Sequence, residues 1–412
     1  VRYFFSILLL FFTIICKAQL SAPGANAVRH TAYPSAPTVK DPVFIFCDVS
    51  GLQKGSLNAT SPRGTGPFNF TWYRWNDVTK TFSTLIKTET GVSASSAADL
   101  VEGGYKVTVS GGYDTAFVGW VFIDKPFSSA ALQNFTCDYV ALKGQASVDT
   151  FYYRNISNGL PVKLPNGVSF LWSSNPSSTI PYPDFTLTPQ TFDPPLEDVT
   201  YNIQVTDSFG CISSSSFFYP TIRVKADFLA EPATGQAPLA VAITDKSIRA
   251  SKYKWEFGDS AAASPTIKET FSSESPVPDT HTYYVPGEYY LKLTVTGKCV
   301  DSTKIKISVD PSALYIPNVF TPNGDGINDN FIVESKSLRS INVEIFSRSG
   351  LKVYSFFGAG DALQKWTGWD GNVNSTSVKA SPGVYFYIIQ ADGWDNVVYK
   401  GKKYRGAVYL YR

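Results

Sequence analysis

GEYYLKL, Gly287 to Leu293, places a Gly and then a Tyr ahead of alternating aliphatic residues. A Tyr behind a turn or polar lead-in and ahead of alternating β-branched or aliphatic residues recurs in GGYKVTV (Gly103 to Val109), VTYNIQV (Val199 to Val205) and GVYFYII (Gly383 to Ile389), with Tyr at 105, 201, 289 and 385. Alternation at period two sends one set of side chains to each face of a strand. The intervals between the tyrosines, 96, 88 and 96 residues, each match one small sandwich. A second landmark keeps step with the first: FTW (Phe70 to Trp72), FLW (Phe170 to Trp172) and YKW (Tyr253 to Trp255) stand 33, 29 and 34 residues before the first three tyrosines. Immunoglobulin-like sandwiches bury a Trp on one sheet and seat a Tyr at the start of a later strand, so the paired spacing has a packing reason. Ile305, Ile307 and Val309 are expected inward, with Lys304, Lys306 and Ser308 outward.

Composition agrees. The 412 residues are 43% hydrophobic, 15% aromatic and only 17% charged, with 30 Gly and 26 Pro, which favours many short strands and tight turns over helices. The expected class is all-β: four tandem immunoglobulin-like β-sandwiches after a cleaved signal peptide, each closed round its own aromatic cluster. The expected divisions are a signal peptide over residues 1–19, a linker over 20–38, modules over 39–125, 126–224 and 225–310, and a last module over 314–412. Arg2, the apolar run Tyr3 to Ile15 and the Cys16-Lys17-Ala18-Gln19 segment form the export signal; thirteen residues are too few to span a bilayer. Ile14 and Ile15 argue against a lipid-bearing Cys16. The chain has no Met and begins with Val, which points to an alternative start or a trimmed record.

Formal charge is +2, and loss of Arg2 and Lys17 with the signal leaves zero, so neither nucleic acid nor an acidic membrane is an expected partner. No mature transmembrane segment is expected. Of the Cys that follow the signal, Cys137 and Cys211 are the expected disulfide because they bracket one module, with Cys47 and Cys299 as isolated buried thiols; sequence alone allows three complete pairings. Zinc is not expected, since no two Cys are close and the chain has only His30 and His281. His281 has no neighbouring nucleophile motif, and no residue reads as catalytic. Trp72, Tyr73 and Trp75 are core anchors by default, with a sugar-stacking platform as the alternative.

The turn formers concentrate in YIPNVFTPNGDGINDNF, Tyr315 to Phe331. Its Gly residues allow positive φ and its Asn and Asp side chains can cap nearby amides, which makes a compact, rigid loop with Val319, Phe320 and Phe331 fixing its ends. Asn323, Asp325, Asn328 and Asp329 also offer oxygens at near-alternating spacing, and Asp325-Gly326 imitates the centre of a calcium loop. Counted from Thr321, however, Ile332 stands where an EF-hand has its Glu, so a self-capped turn is the first reading and calcium the second. Apart from calcium, no cofactor is expected. Lys400, Lys402, Lys403 and Arg405 form the one local basic cluster.

Three families are resembled. YKWEFGD (Tyr253 to Asp259), HTYYVPGEYYLKLTV (His281 to Val295) and APLAVAITDKS (Ala237 to Ser247) resemble a polycystic-kidney-disease (PKD) domain, an immunoglobulin-like sandwich of extracellular proteins. The loop segment, followed by VEIFSRSGLKVYSF, WTGWDG, SPGVYFYII and GAVYLYR, resembles the gliding-motility-associated C-terminal domain of Bacteroidota, the type B sorting domain of type IX secretion. GTGPFNFTWYRW with LVEGGYKVTVSGG, and TYNIQVTDSFGC, are similar to the SprB-type repeats of gliding adhesins. These resemblances imply a non-enzymatic secreted protein that uses residues 314–412 as an address, with the outer-membrane translocon as partner and an adhesin-like or accessory surface role in gliding motility or secretion. A carbohydrate-binding array and a polysaccharide-degrading enzyme with a PKD spacer are the alternatives. The expected recognition surface comprises Asn323, Asp325, Asn328 and Asp329 with the basic cluster, and surface glycans or adhesins are further expected partners.

Overall fold

The computed structural model describes residues 20–412 apart from 49, 62–65, 113, 259–266 and 274–279. The signal segment and Asp259 of YKWEFGD therefore lie outside the described residues. Strands dominate, and among the described residues helix is confined to Asp361–Gln364 and two 3-10 turns. The chain is all-β, as its alternation predicts. It divides into two compact units, Val1–Thr221 and Ile222–Arg412.

In the first unit a six-stranded sheet runs Ala27–His30, Pro42–Cys47, Thr115–Asp124, Gly103–Ser110, Phe68–Asn76, Thr81–Val92. It packs on a three-stranded sheet of Leu20–Ser21, Gly55–Thr60 and Ala94–Leu100, and the core between them holds Phe70, Trp72, Tyr105 and Val107. Two further three-stranded sheets, Phe127–Phe135 with Tyr139–Ser147 and Gln190–Phe192, and Val168–Asn175 with Val199–Asp207 and Ile212–Tyr219, supply a second core round Trp172, Tyr201 and Ile203.

A third core lies between these two and was not expected. Val43, Ile45, Trp75, Trp120 and Phe122 leave the other face of the six-stranded sheet and, with Tyr33 from the loop between its first two strands, meet Phe151, Tyr153, Leu164, Phe209 and Cys211. Phe151, Tyr153 and Leu164 belong to the hairpin Phe151–Arg154 and Pro161–Leu164. The six-stranded sheet is thus covered on both sides here, which is why Val43–Phe46 and Gly119–Phe122 are buried without alternation. Pro42–Cys47 also pairs parallel to Thr115–Asp124, the arrangement in which continuous apolar runs are normal. Self-contained beads do not describe this unit.

Two expectations fall with that core. Residues 20–38 do not behave as a linker: Leu20–Ser21 and Ala27–His30 are strands, and Tyr33 is 1% exposed. Its hydroxyl donates to Asp41 Oδ2 at 2.8 Å and accepts from Trp120 Nε1 at 2.8 Å, so burying it leaves no polar atom unpaired. The disulfide joins Cys47 to Cys211, with Cα atoms 5.2 Å apart and a sequence separation of 164, in place of Cys137 with Cys211. Cys47 ends a strand that faces the shared core, and Cys211 sits in that core, so it is contact between modules that selects the pair. Cys299, though buried, is no isolated thiol either, since both it and Cys137 are disulfide-bonded.

The second unit opens with a sheet of Phe228–Glu231, Leu239–Asp245 and Thr280–Tyr283. Opposite lies a five-stranded sheet in the order Thr234–Gln236, Val300–Asp310, Gly287–Thr296, Lys252–Gly258, Ile267–Ser273, and between them sit Trp255, Leu291, Leu293 and Ile307. Ile305, Ile307 and Val309 do point inward while Lys304 and Lys306 are exposed. The rest of the unit holds the sheet Val319–Phe320, Arg405–Leu410, Gly383–Gly393, Leu338–Phe346, Lys352–Ala359, with Val398–Tyr399 added to Gly383–Gly393, and a two-stranded sheet of Ala313–Tyr315 and Glu334–Lys336. Ser337 joins the two parts: its Oγ accepts from Ala237 N at 2.9 Å and donates to the Asp310 carbonyl at 2.6 Å.

The recurring Tyr now has a geometric meaning. Tyr105 donates its hydroxyl to the Val101 carbonyl at 2.6 Å, Tyr385 to Ser381 at 2.8 Å, and Tyr289 to Val285, each four residues back. This is the tyrosine corner of immunoglobulin-like sandwiches. Two residues before each stands a Gly with φ of 144°, 149° or 156°, a backbone conformation that only Gly adopts freely. Tyr201 is led in by Val199 and Thr200 instead, and it makes no such bond. A Cβ on Gly383 would meet nothing within 4 Å, so Gly383→Ala isolates the backbone cost. The variant is expected to lose about 1–3 kcal/mol of stability in chemical denaturation; no change in midpoint would show that the corner tolerates an ordinary residue.

Candidate functional site

The turn-rich loop is built from its own side chains. Asp329 accepts the amides of Gly324 (2.7 Å, on Oδ1) and Gly326 (2.8 Å, on Oδ2). Asp325 Oδ1 accepts Ile327 N at 2.8 Å, Asp325 Oδ2 accepts Asn323 Nδ2 at 2.9 Å, and Asn323 Oδ1 accepts Asp325 N at 3.0 Å. Gly324, Gly326 and Asn328 take φ of 83°, 84° and 53°, which lets the chain curl round these carboxylates. The Ile327 amide and the Asn323 side chain hold the Asp325 carboxyl below its ordinary range. Asn323, Asp325, Asn328 and Asp329 therefore come together, and the oxygens of Asp325 and Asp329 are turned onto the loop's own amides. That arrangement favours the self-capped turn over the calcium reading.

Beneath the loop is an aromatic floor. Phe320 and Phe331 are 1% and 0% exposed and pack at 6.2 Å, and Phe320 lies 5.2 Å from Trp369. Phe331 and Trp369 exchange both backbone hydrogen bonds, at 2.8 and 3.0 Å, which clamps the end of the loop to the WTGWDG motif. Val319 and Ile327 are exposed, so the anchoring of the loop falls to Phe320 and Phe331, with Ile316 packed against the same core.

Lys400, Lys402, Lys403 and Arg405 are all exposed, in a segment leading into the strand Arg405–Leu410. Val319–Phe320 pairs parallel to the far end of that strand, Val319 with Tyr409 and Phe320 with Leu410. The loop and the basic cluster thus sit at opposite ends of one strand, about 17 Å apart along its axis.

Residues 314–410 match the CHU_C type IX secretion signal domain. The signal domain therefore includes the loop, its aromatic floor and the basic cluster, and it marks the chain for export by type IX secretion to a secreted or cell-surface location. No curated protein matches the chain. Among solved structures it is similar to a tetra-tandem repeat from the extending region of a large adhesion protein (13% identity, 87% of this chain and 96% of that one, TM-score 0.23). It is also similar to chicken CNTN1 FN1-FN3 domains (10%, 68% and 96%, 0.24) and to the eight N-terminal Ig domains of Down syndrome cell adhesion molecule (10%, 89% and 46%, 0.24).

The remaining expected site residues divide clearly. Trp72 is fully buried in the first core and Trp75 is 8% exposed in the shared one, packed 5.0 Å from Phe82 and 6.0 Å from Trp120. Neither can stack on a sugar, so the platform with Tyr73 is not formed. His281 stacks on Phe257 at 4.3 Å and meets Tyr283 edge-on at 4.7 Å, a packing role. One feature escaped the sequence reading: Asp124 and Asp207, 0% and 6% exposed, lie beside Cys211 at the shared core. The unbroken apolar run preceding Asp124 was the signal that this acid would be covered.

Proposed function

We propose that the chain is a non-enzymatic, adhesin-like or accessory surface protein, carried across the outer membrane by type IX secretion and working beside that machinery or the gliding apparatus. The observation that carries this reading is the signal domain over residues 314–410 at the end of a chain otherwise made of β-sandwich cores. Its PKD-like and SprB-like modules, and a type B assignment of the signal domain, belong to the same proposal. Among the described residues no helix is long and apolar enough to cross a membrane, and the translocon is the first partner in this reading. No bound cofactor is needed for such a role.

A polysaccharide-degrading enzyme needs two carboxyls facing a substrate cleft. The buried carboxyl pair, Asp124 and Asp207, is closed off from such a ligand and cannot serve that chemistry. A glycan-binding role loses its aromatic platform with Trp72 and Trp75. The decisive experiment is export of the chain lacking residues 314–412: it is expected to accumulate in the periplasm while the full chain reaches the surface. Equal surface delivery of both would end the proposal.

A further inference from the structure

Asp124 and Asp207 meet where the first unit's two sandwiches join. Asp207 Oδ1 accepts Phe209 N at 2.9 Å and Cys211 N at 2.7 Å, and Asn166 Nδ2 donates to Asp124 Oδ2 at 3.2 Å. Their other oxygens, Asp124 Oδ1 and Asp207 Oδ2, are buried with no conventional donor. The charged groups about them are mostly acidic. Asp149 raises the cost of ionising Asp124, Glu102 accepts Ile123 N at 3.1 Å, and Asp48 N donates to the Asp124 carbonyl at 2.8 Å. On the basic side, Lys125 follows Asp124 in sequence and acts on Asp48, while Arg29 binds the Ser208 carbonyl at 2.9 Å and lies over the Phe209 ring. Two buried anions without an adjacent cation are not sustainable. A metal is a poor answer, because the Cys211 sulfur is spent in its disulfide and calcium asks for about six to eight oxygens where the pair offers two.

We propose that Asp124 and Asp207 hold one proton in common, making the junction between the two sandwiches a pH-sensitive latch. The proton bridges the two orphaned oxygens, so both are satisfied while the pair carries a single charge. Burial first, and the Asp207 carboxyl second, push Asp124 up to about 8. The sign follows from linkage: the folded chain binds a proton that the unfolded chain has released, so this contribution is complete below about pH 4, falls as pH rises, and is gone above about 8.

The test uses the full chain with aspartate carboxyls labelled by carbon-13. One aspartate resonance is expected to titrate near pH 8 and to vanish in Asp124→Asn. The melting temperature of the native chain relative to Asp124→Asn is expected to fall between pH 5 and 8 and then level off. Should Asp124→Asn fail to fold, the titration of the native chain decides by itself. Absence of any aspartate titrating above pH 6.5 would overturn the latch. So would a calcium-induced rise in melting temperature, reversed by chelator, that the native chain shows and Asp124→Asn lacks.

Discussion

Trp369→Ala is expected to lower the thermal midpoint of the signal domain by roughly 15 to 30 °C. Trp369 is 0% exposed and touches Phe320 at 5.2 Å, Tyr385 at 5.1 Å and Tyr354 at 6.2 Å, while its indole N–H donates to the Asn372 carbonyl at 2.7 Å. Removing such a ring costs about 3–5 kcal/mol, because the cavity refills only in part. A domain of this size has about 5–15 kcal/mol to lose, and each kcal/mol moves its midpoint by about 4–8 °C. The Asn372 carbonyl is also left without its donor. Since Phe320 and Phe331 stand on this ring, the loop above should lose its fixed shape with it. Differential scanning calorimetry of the full chain checks the first effect, and surface delivery checks the second. A midpoint within 5 °C of the native value would show that the floor is not what holds the signal domain together.

Cys47→Ser comes next in size. A bridge closing a loop of 164 residues removes enough freedom from the unfolded chain to contribute roughly 5 kcal/mol in the chain-entropy model. The variant is expected to lose about 3–5 kcal/mol in guanidinium unfolding of the first unit, and Cys211→Ser the same. The double variant should be no worse than either single one, since both remove one bond. Had Cys211 paired with Cys137, Cys47→Ser would leave the unfolding midpoint unchanged, so the experiment separates the two connectivities.

What could be read from the sequence followed from local rules. The tyrosine-led strands, the inward Ile305, Ile307 and Val309, and the buried Trp72, Trp172 and Trp255 each depend on alternation within one strand and its neighbours. The self-capping of Asn323, Asp325 and Asp329 was equally legible, because Asx side chains act on amides two to five residues away. What was missed depends on contact between distant segments. Tyr33 is 87 residues from Trp120, Cys47 is 164 from Cys211, and Asp124 meets a partner from another sheet. Val43–Phe46 and Gly119–Phe122 did carry a trace of that contact, since an apolar run without alternation signals a strand covered on both faces. The separation of the basic cluster from the loop, by contrast, appears only once Val319 is paired with Tyr409.

The Cys47–Cys211 bond has a mechanical side that matters for a chain displayed outside a cell. Tension applied through the backbone crosses that covalent shortcut, so the polypeptide between the two sulfurs cannot be drawn out to its full length while the bond holds. Roughly 550 Å of contour length is thereby withheld from stretching. Reduction would release it all at once, so the redox state of the surroundings sets how far this molecule can be drawn out before it yields.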